Sequence, residues 1–233
     1  MRDRFNYEIE ALKQRLLDLA TATERALVRA IRAVDDAHAA DARAVIAEDS
    51  RIDAAEVAIE EECLKLMALY QPVAGDLRTL VTILKVNGEL ERAADLAANI
   101  AARAIDMAEH PVPPADRCDF APMVALAHQM LRGALDAFVC HRPDLARDIL
   151  ARDDAVDALN AAHIAHALEN LLKRPAQARY TLSCVTVSHA IERIADIATN
   201  ICEDVIYLEE GQIVRHEAHR PKEHPDAQHD SDR

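Results

Sequence analysis

The chain has 233 residues, 51% of them hydrophobic but only 3% aromatic, with no Trp and four Gly, so Ala and Leu must do the packing. Such a composition favours closely spaced helices over sheet and excludes a disordered chain. A formal net charge of −14 excludes a general nucleic-acid binder and broad adsorption to anionic lipid, which need a basic surface; it suits solubility, a basic protein partner or cations.

Periodicity and punctuation predict six helices. The first runs from about Asp3 to Val34, burying Ile9, Leu12, Leu16, Leu19, Leu27 and Ile31. After the polar turn Asp35-Asp36-Ala37-His38 a second helix spans about Ala40 to Tyr70. Pro72 suits the first turn of a third helix, which continues to about Glu109. His110 to Cys118 (HPVPPADRC) holds three prolines in nine residues and reads as a linker. A fourth helix is expected over about Pro122 to Cys140, a fifth over about Pro143 to Lys173, and a sixth from about Ala176 to Glu210, capped by Gly211. The rest, from Arg215, is polar and charged and is expected to be disordered.

The two triplets of helices repeat. ERAADLAANI (Glu91 to Ile100) matches ERIADIATNI (Glu192 to Ile201) at seven of ten positions with an offset of 101. DSRID (Asp49 to Asp53) lines up with DDAVD (Asp153 to Asp157) at an offset of 104. The fold class is therefore all-α: two tandem three-helix-bundle repeats forming a six-helix array with pseudo-two-fold symmetry. The units are 1–110, a Pro-rich linker 111–117, 118–214, and the tail 215–233.

Each repeat carries two acidic pairs at a spacing of four, which puts both acids of a pair on one helix face. They are Asp49/Asp53 with Glu91/Asp95, and Asp153/Asp157 with Glu192/Asp196. On the third helix the row Leu77, Leu80, Leu84, Gly88, Glu91, Asp95, Asn99 reads as core-facing and turns acidic halfway; Leu182, Val185, His189, Glu192, Asp196, Asn200 repeats it, and Ile46 and Ile149 precede the other pairs. Buried carboxylates must be neutralised by a proton, a basic partner or a cation. If the second and third helices turn near Gln71–Pro72, residues whose numbers add to about 144 face one another, setting Asp49 against Asp95 and Asp53 against Glu91. A turn near Arg174–Pro175 gives a sum of about 349, with Asp153 against Asp196 and Asp157 against Glu192. Each half thus collects four carboxylates, an oxygen-only set suited to magnesium, calcium, manganese or ferric ions more than to zinc. The competing arrangement has Arg92 and Arg193 pairing with these acids, and Asn99 and Asn200 could orient ligands or serve as core polar groups.

These motifs resemble the PhoU family, the phosphate-specific transport accessory and regulatory proteins of bacteria. The likeness covers roughly residues 5 to 216, with QPVAGDLR (Gln71 to Arg78) and the closing NICEDVIYLEEGQIVRH as further support. The resemblance implies a cytoplasmic adaptor between the phosphate ABC importer, through its ATPase PstB, and the sensor histidine kinase PhoR. Such an adaptor restrains uptake and holds the phosphate-starvation (Pho) response off when phosphate is plentiful. It also implies bound iron, zinc, magnesium or manganese and a homodimer, with metal ligands carried over by motif to Asp49, Asp53, Glu91, Asp95, Asp153, Asp157, Glu192 and Asp196. Two departures stand out: Ala94 and Ala195 replace a frequent Gly, and Leu96 and Ile197 replace a frequent His, which removes a nitrogen donor.

The main alternative is a ferritin-like carboxylate-bridged metal enzyme or metal-storage bundle, but neither half has the required Glu-x-x-His at its cluster. A plain helical scaffold with a solvated acidic face would bind no metal. His163/His166 read as ordinary solvated or core residues, and His216, His219, His224 and His229 as part of the tail. With no nucleophile–base pair and no Gly-rich phosphate loop, no catalytic residues and no nucleotide binding are expected. No basic cluster is evident, so phosphate is not expected to bind directly. The five cysteines, Cys63, Cys118, Cys140, Cys184 and Cys202, lack a C-x-x-C and read as reduced core residues. The N-terminus has no signal-like apolar run, and no stretch approaches the ~20 apolar residues of a membrane span. The expected location is cytoplasmic, peripheral at the inner membrane through partners, without nucleic acid and without direct membrane insertion.

Overall fold

The computed structural model describes residues 2–36, 38–212 and 214, and among these there is no strand. The helices are α1 (Arg2–Asp35), α2 (Ala39–Tyr70), α3 (Ala74–Glu109), α4 (Ala121–Val139), α5 (Pro143–Leu150), α6 (Asp153–Lys173) and α7 (Ala178–Glu210), with short 3-10 turns at Pro114–Asp116 and Pro175–Gln177. No described helix is long and apolar enough to cross a membrane. The tail from Arg215, with its histidines, lies outside the described residues.

α1, α2 and α3 pack on one another, α4, α5 and α6 pack on α7, and α3 and α7 join the halves. The seam follows from side-chain chemistry. Lys85 Nζ reaches Asp204 Oδ1, Asn200 donates to Glu89, and Ser183 donates to Asp106. In each pair the residue numbers add to 289, so α3 and α7 run antiparallel. The helical hairpin tips therefore point to opposite ends of the molecule. Combined with the repeat offset of 101, this register puts Ala94 and Ala195 at the pseudo-two-fold crossing, and both are buried. Their single methyl groups let the two helices approach closely. Around them a continuous core runs from Leu12 and Leu16 through Ile83, Leu90 and Ile100 to Met130 and Leu131.

Three expectations are corrected. The fifth helix is not continuous: the chain turns at Ala151 and Arg152, where Arg152 N–H bonds Ile149 O at 2.9 Å. Asp153 and Asp154 then occupy the first turn of α6, where the helix dipole favours anions over continued helix across them. Pro72 precedes the third helix rather than opening it; Gln71 (φ 46°) caps α2 in the left-handed region, and α3 starts at Ala74. Cysteines Cys63, Cys184 and Cys202 are buried, but Cys118 is half-buried and Cys140 is exposed at the end of α4. Gly211 does cap the last helix, at φ 71° with its N–H on Tyr207 O.

Candidate metal centre

The hairpins pair in the register their acids require. Asn87 donates its side-chain amide to the Glu56 carbonyl and to Glu56 Oε1, both at 3.0 Å, so the facing numbers add to 143. In the other half Ser188 donates to Asn160 Oδ1 at 2.8 Å, a sum of 348. The repeat offsets carry Glu56 onto Asn160 and Asn87 onto Ser188, so one polar clip has been kept in both halves with different side chains.

One turn from each clip lie the acids. Burial pushes the Asp49 carboxyl above its ordinary range, and the charges of Asp53 and Asp95 add to this. Glu91 is raised by burial, then by Asp95, Glu56 and Asp53, with Arg92 opposing. Glu192 is raised by burial, then by Asp196, Asp157 and Asp153, with Arg193 opposing. Each glutamate thus feels acids on its own helix and on the facing one. Neutralising these groups, by protons or by cations, is favourable.

The exposure pattern repeats. Asp49, Glu91, Asp153 and Glu192 are half-buried, while Asp53, Asp95, Asp157 and Asp196 are exposed. This corrects in part the reading of the rows as core-facing. Leu80 and Ile149 are fully buried, but Leu182 is 56% exposed and Ile46 and Leu77 are exposed as well, so the rows straddle the boundary between core and solvent. The buried arc of α3 is taken instead by Leu90, Ala93, Ala94, Ala97 and Ile100. Among the described residues, the one group of three acid, His or Cys side chains whose ligand atoms lie within 4.8 Å of one another is Asp106, Glu109 and His110. The quartets are more open than that. Their donor chemistry fits hard cations: four oxygen-bearing acids per half, reachable from solvent, with Asp49, Glu91 and Glu192 among them disfavoured as bare anions.

Of the suggested supporting residues, Arg92 and Arg193 oppose the rise of the Glu91 and Glu192 carboxyls beside them, but Arg92 and Asn200 bond to another acid. Arg92 pairs with Glu89 at 3.4 Å within its own helix, and Asn200 donates to Glu89 across the seam at 3.3 Å. Both serve the junction between repeats. Asn99 and Arg193 are exposed. His163 is a structural residue, bonded to Ser188 Oγ and to the Asp119 carbonyl, both at 3.1 Å, and edge-on to Phe120.

Sequence reasoning missed two features. Glu56 is a fifth acid of the first cluster, its carboxyl raised by burial, then by Glu60 and Asp53. Its position three residues after Asp53 was the available signal. Asp106 ties the repeats together, accepting from Ser183 Oγ at 2.7 Å and from Arg179 Nε at 3.1 Å. The Ser183 bond, followed by Arg179 and His110, holds its carboxyl below the usual range. The expectation that no basic cluster forms is also corrected. Arg15, Arg25, Arg29 and Arg51 line one groove between α1 and α2, which fold back on each other so that Arg29 of α1 pairs with Glu48 of α2.

Comparison with known proteins gives a consistent family. The family model for the PhoU domain matches residues 16–104 and 120–205. The phosphate-specific transport system accessory protein PhoU homolog of Pseudomonas aeruginosa is 33% identical over 212 residues, covering 91% of this chain and 88% of its own. The Escherichia coli accessory protein PhoU is 31% identical over 215 residues, covering 91% and 88%. A crystal structure of PhoU from Pseudomonas aeruginosa superposes with a TM-score of 0.86 at 32% identity, spanning 89% of this chain and 100% of that one. The chain belongs to the PhoU family.

Proposed function

We propose that this protein is a regulator of phosphate-specific transport that restrains phosphate uptake and holds the phosphate-starvation response off when phosphate is plentiful. The relatives named above are accessory proteins of phosphate-specific transport, which supports the transport role. In the finer reading it is a cytoplasmic, homodimeric adaptor between the importer ATPase PstB and the sensor kinase PhoR, with iron, manganese, magnesium or zinc held at its acids. The observation that carries the metal part is the duplicated, in-register acidic quartet, with raised carboxyls at Asp49, Glu91 and Glu192.

Asp49, Asp53, Glu91 and Asp95 would hold metal in one half, and Asp153, Asp157, Glu192 and Asp196 in the other. A bound cation would supply the positive charge these acids lack and draw α2 to α3 and α6 to α7. That linkage would couple occupancy to the stiffness of both hairpins. Elemental analysis of the full chain tests the ligand set: Asp95→Ala with Asp196→Ala should lose most of the bound metal, and unchanged content would overturn it. Deleting the gene should switch on phosphate-starvation genes in phosphate-rich medium; continued repression would overturn the regulatory reading.

A further inference from the structure

The acids are duplicated, but the arginines are not. Four guanidinium groups, Arg15, Arg25 and Arg29 from α1 and Arg51 from α2, line a groove of about 600 Å³. Leu19, Ala22, Ala26, Ile52, Ala55 and Ile59 supply its apolar lining. Two acids also line it: Glu48 is neutralised by Arg29, and Asp18, which accepts from the uncharged Gln14 amide at 3.1 Å, offsets one of the other three arginines, so the groove keeps a net positive charge. Among the described residues, Arg15, Arg25 and Arg51 have no ion-pair partner. In a chain of net charge −14, this is a local concentration of unpaired positive charge.

The second repeat shows what the first would be without this feature. Shifting the buried α1 positions Ala26, Leu27, Ala30, Ile31, Ala33 and Val34 by 104 gives Met130, Leu131, Ala134, Leu135, Ala137 and Phe138, all buried on α4. At the same offset Arg15, Arg25, Arg29 and Arg51 become Asp119, Gln129, Gly133 and Ala155. A Cβ on Gly133 would stand 2.8 Å from Ile149 Cδ1, so α4 and α5 close together where α1 and α2 leave a groove.

The geometry points to this groove as a binding site for a phosphorylated organic molecule of nucleotide size. Guanidinium forks on two helices match phosphate oxygens bidentately. Arg25 lies about 15 Å along α1 from Arg15 at 1.5 Å per residue, so the arginines span an elongated ligand rather than a single ion. The volume falls in the ordinary range for small-molecule sites, roughly 300–1,000 Å³. The apolar lining accepts the part of the ligand that carries no charge. An acidic helix from another protein is the less favoured occupant, because the groove's volume is that of a small-molecule site. The inference does not rest on metal at the carboxylates.

Isothermal titration of the full chain with ADP, pyrophosphate and orthophosphate tests it. ADP should bind one to one, at least tenfold more tightly than either inorganic anion, and more weakly as NaCl is raised. Arg25→Ala with Arg51→Ala, both at exposed positions, should weaken ADP at least tenfold, while Arg132→Ala on exposed α4 surface should not. Retained circular dichroism would exclude loss of fold as the cause. Absence of ADP binding, binding unchanged in the double variant, or ADP no tighter than pyrophosphate would each overturn the proposal. So would a glutamate-rich peptide that binds where ADP does not, which would mark a protein-docking surface instead.

Discussion

At the scale of single residues, the acidic clusters are stores of unfavourable charge. Glu91 and Glu192 have carboxyls raised from an ordinary value of 4.5, first by burial and then by neighbouring acids. A raised carboxyl keeps a proton that the unfolded chain has released. Its contribution therefore favours the fold at acid pH and is lost as pH rises through the folded value. Glutamine at these positions carries no charge at any pH. Metal-free Glu91→Gln with Glu192→Gln should thus melt about 2 °C above the wild type at pH 8, each relieved repulsion being worth a few tenths of a kcal/mol. The gain should vanish near pH 4, where the wild-type acids are protonated; thermal melts at the two pH values check this, and an equal gain at both would reject it. Asp106 has the opposite sign: the bonds from Ser183 and Arg179 that lower its pKa support the fold above the ordinary carboxylate range and fade as pH falls.

At the scale of elements, α3 and α7 form the spine, and their contacts decide whether two repeats make one molecule. Asp204 is only 6% exposed and receives Lys85, whose ammonium also lies 5.4 Å from the Tyr207 ring centre. Removing one side of a largely buried charge pair leaves a desolvated charge behind. Lys85→Ala should cost about 2 kcal/mol and lower the melting temperature by roughly 5 °C. Arg4→Ala, which removes an exposed pair within α1, should change it by less than about 1 °C. Comparable losses in the two variants would show that the seam is held by packing alone. The same spine sets the level of the acids. In the register of 289, Glu91, Asp95, Glu192 and Asp196 all fall within a turn of the pseudo-axis at Ala94 and Ala195.

At the scale of the whole molecule, 41 acidic side chains outnumber 27 basic ones, and self-repulsion works against compactness. Salt screens repulsion between exposed charges farther apart than the Debye length, which is about 10 Å at 0.1 M. Raising NaCl from about 0.02 M to 0.3 M should therefore raise the melting temperature of the metal-free chain by a few degrees. A divalent cation should do so at far lower concentration, because it acts at the quartets rather than over the surface. Differential scanning calorimetry with and without chelator separates the two, and identical titration curves for sodium and magnesium would remove the need for discrete cation sites. The duplicated halves are unequal in this field: the first has the extra acid Glu56 and the arginine groove, while the second has Asn160 in place of Glu56 and Asp119, Gln129, Gly133 and Ala155 in place of the arginines.

The all-helical class, the duplication and the hairpin register were legible in the chain alone. Helix periodicity and repeat offsets are local, one-dimensional properties, and a short turn forces its two helices into one alignment. The clips at Glu56–Asn87 and Asn160–Ser188 fall within one residue of the register read from the turns. Which face of a helix meets its neighbours is a different matter, since a helix has several apolar arcs and packing chooses among them. Leu77 and Leu182 therefore lie at the outer edge while Leu80 on the same row as Leu77 is buried, and Arg92 and Asn200 turn to Glu89. The arginine groove likewise exists only in three dimensions, because Arg15 and Arg51 lie on successive helices and α1 and α2 must fold back on each other before those charges share one groove.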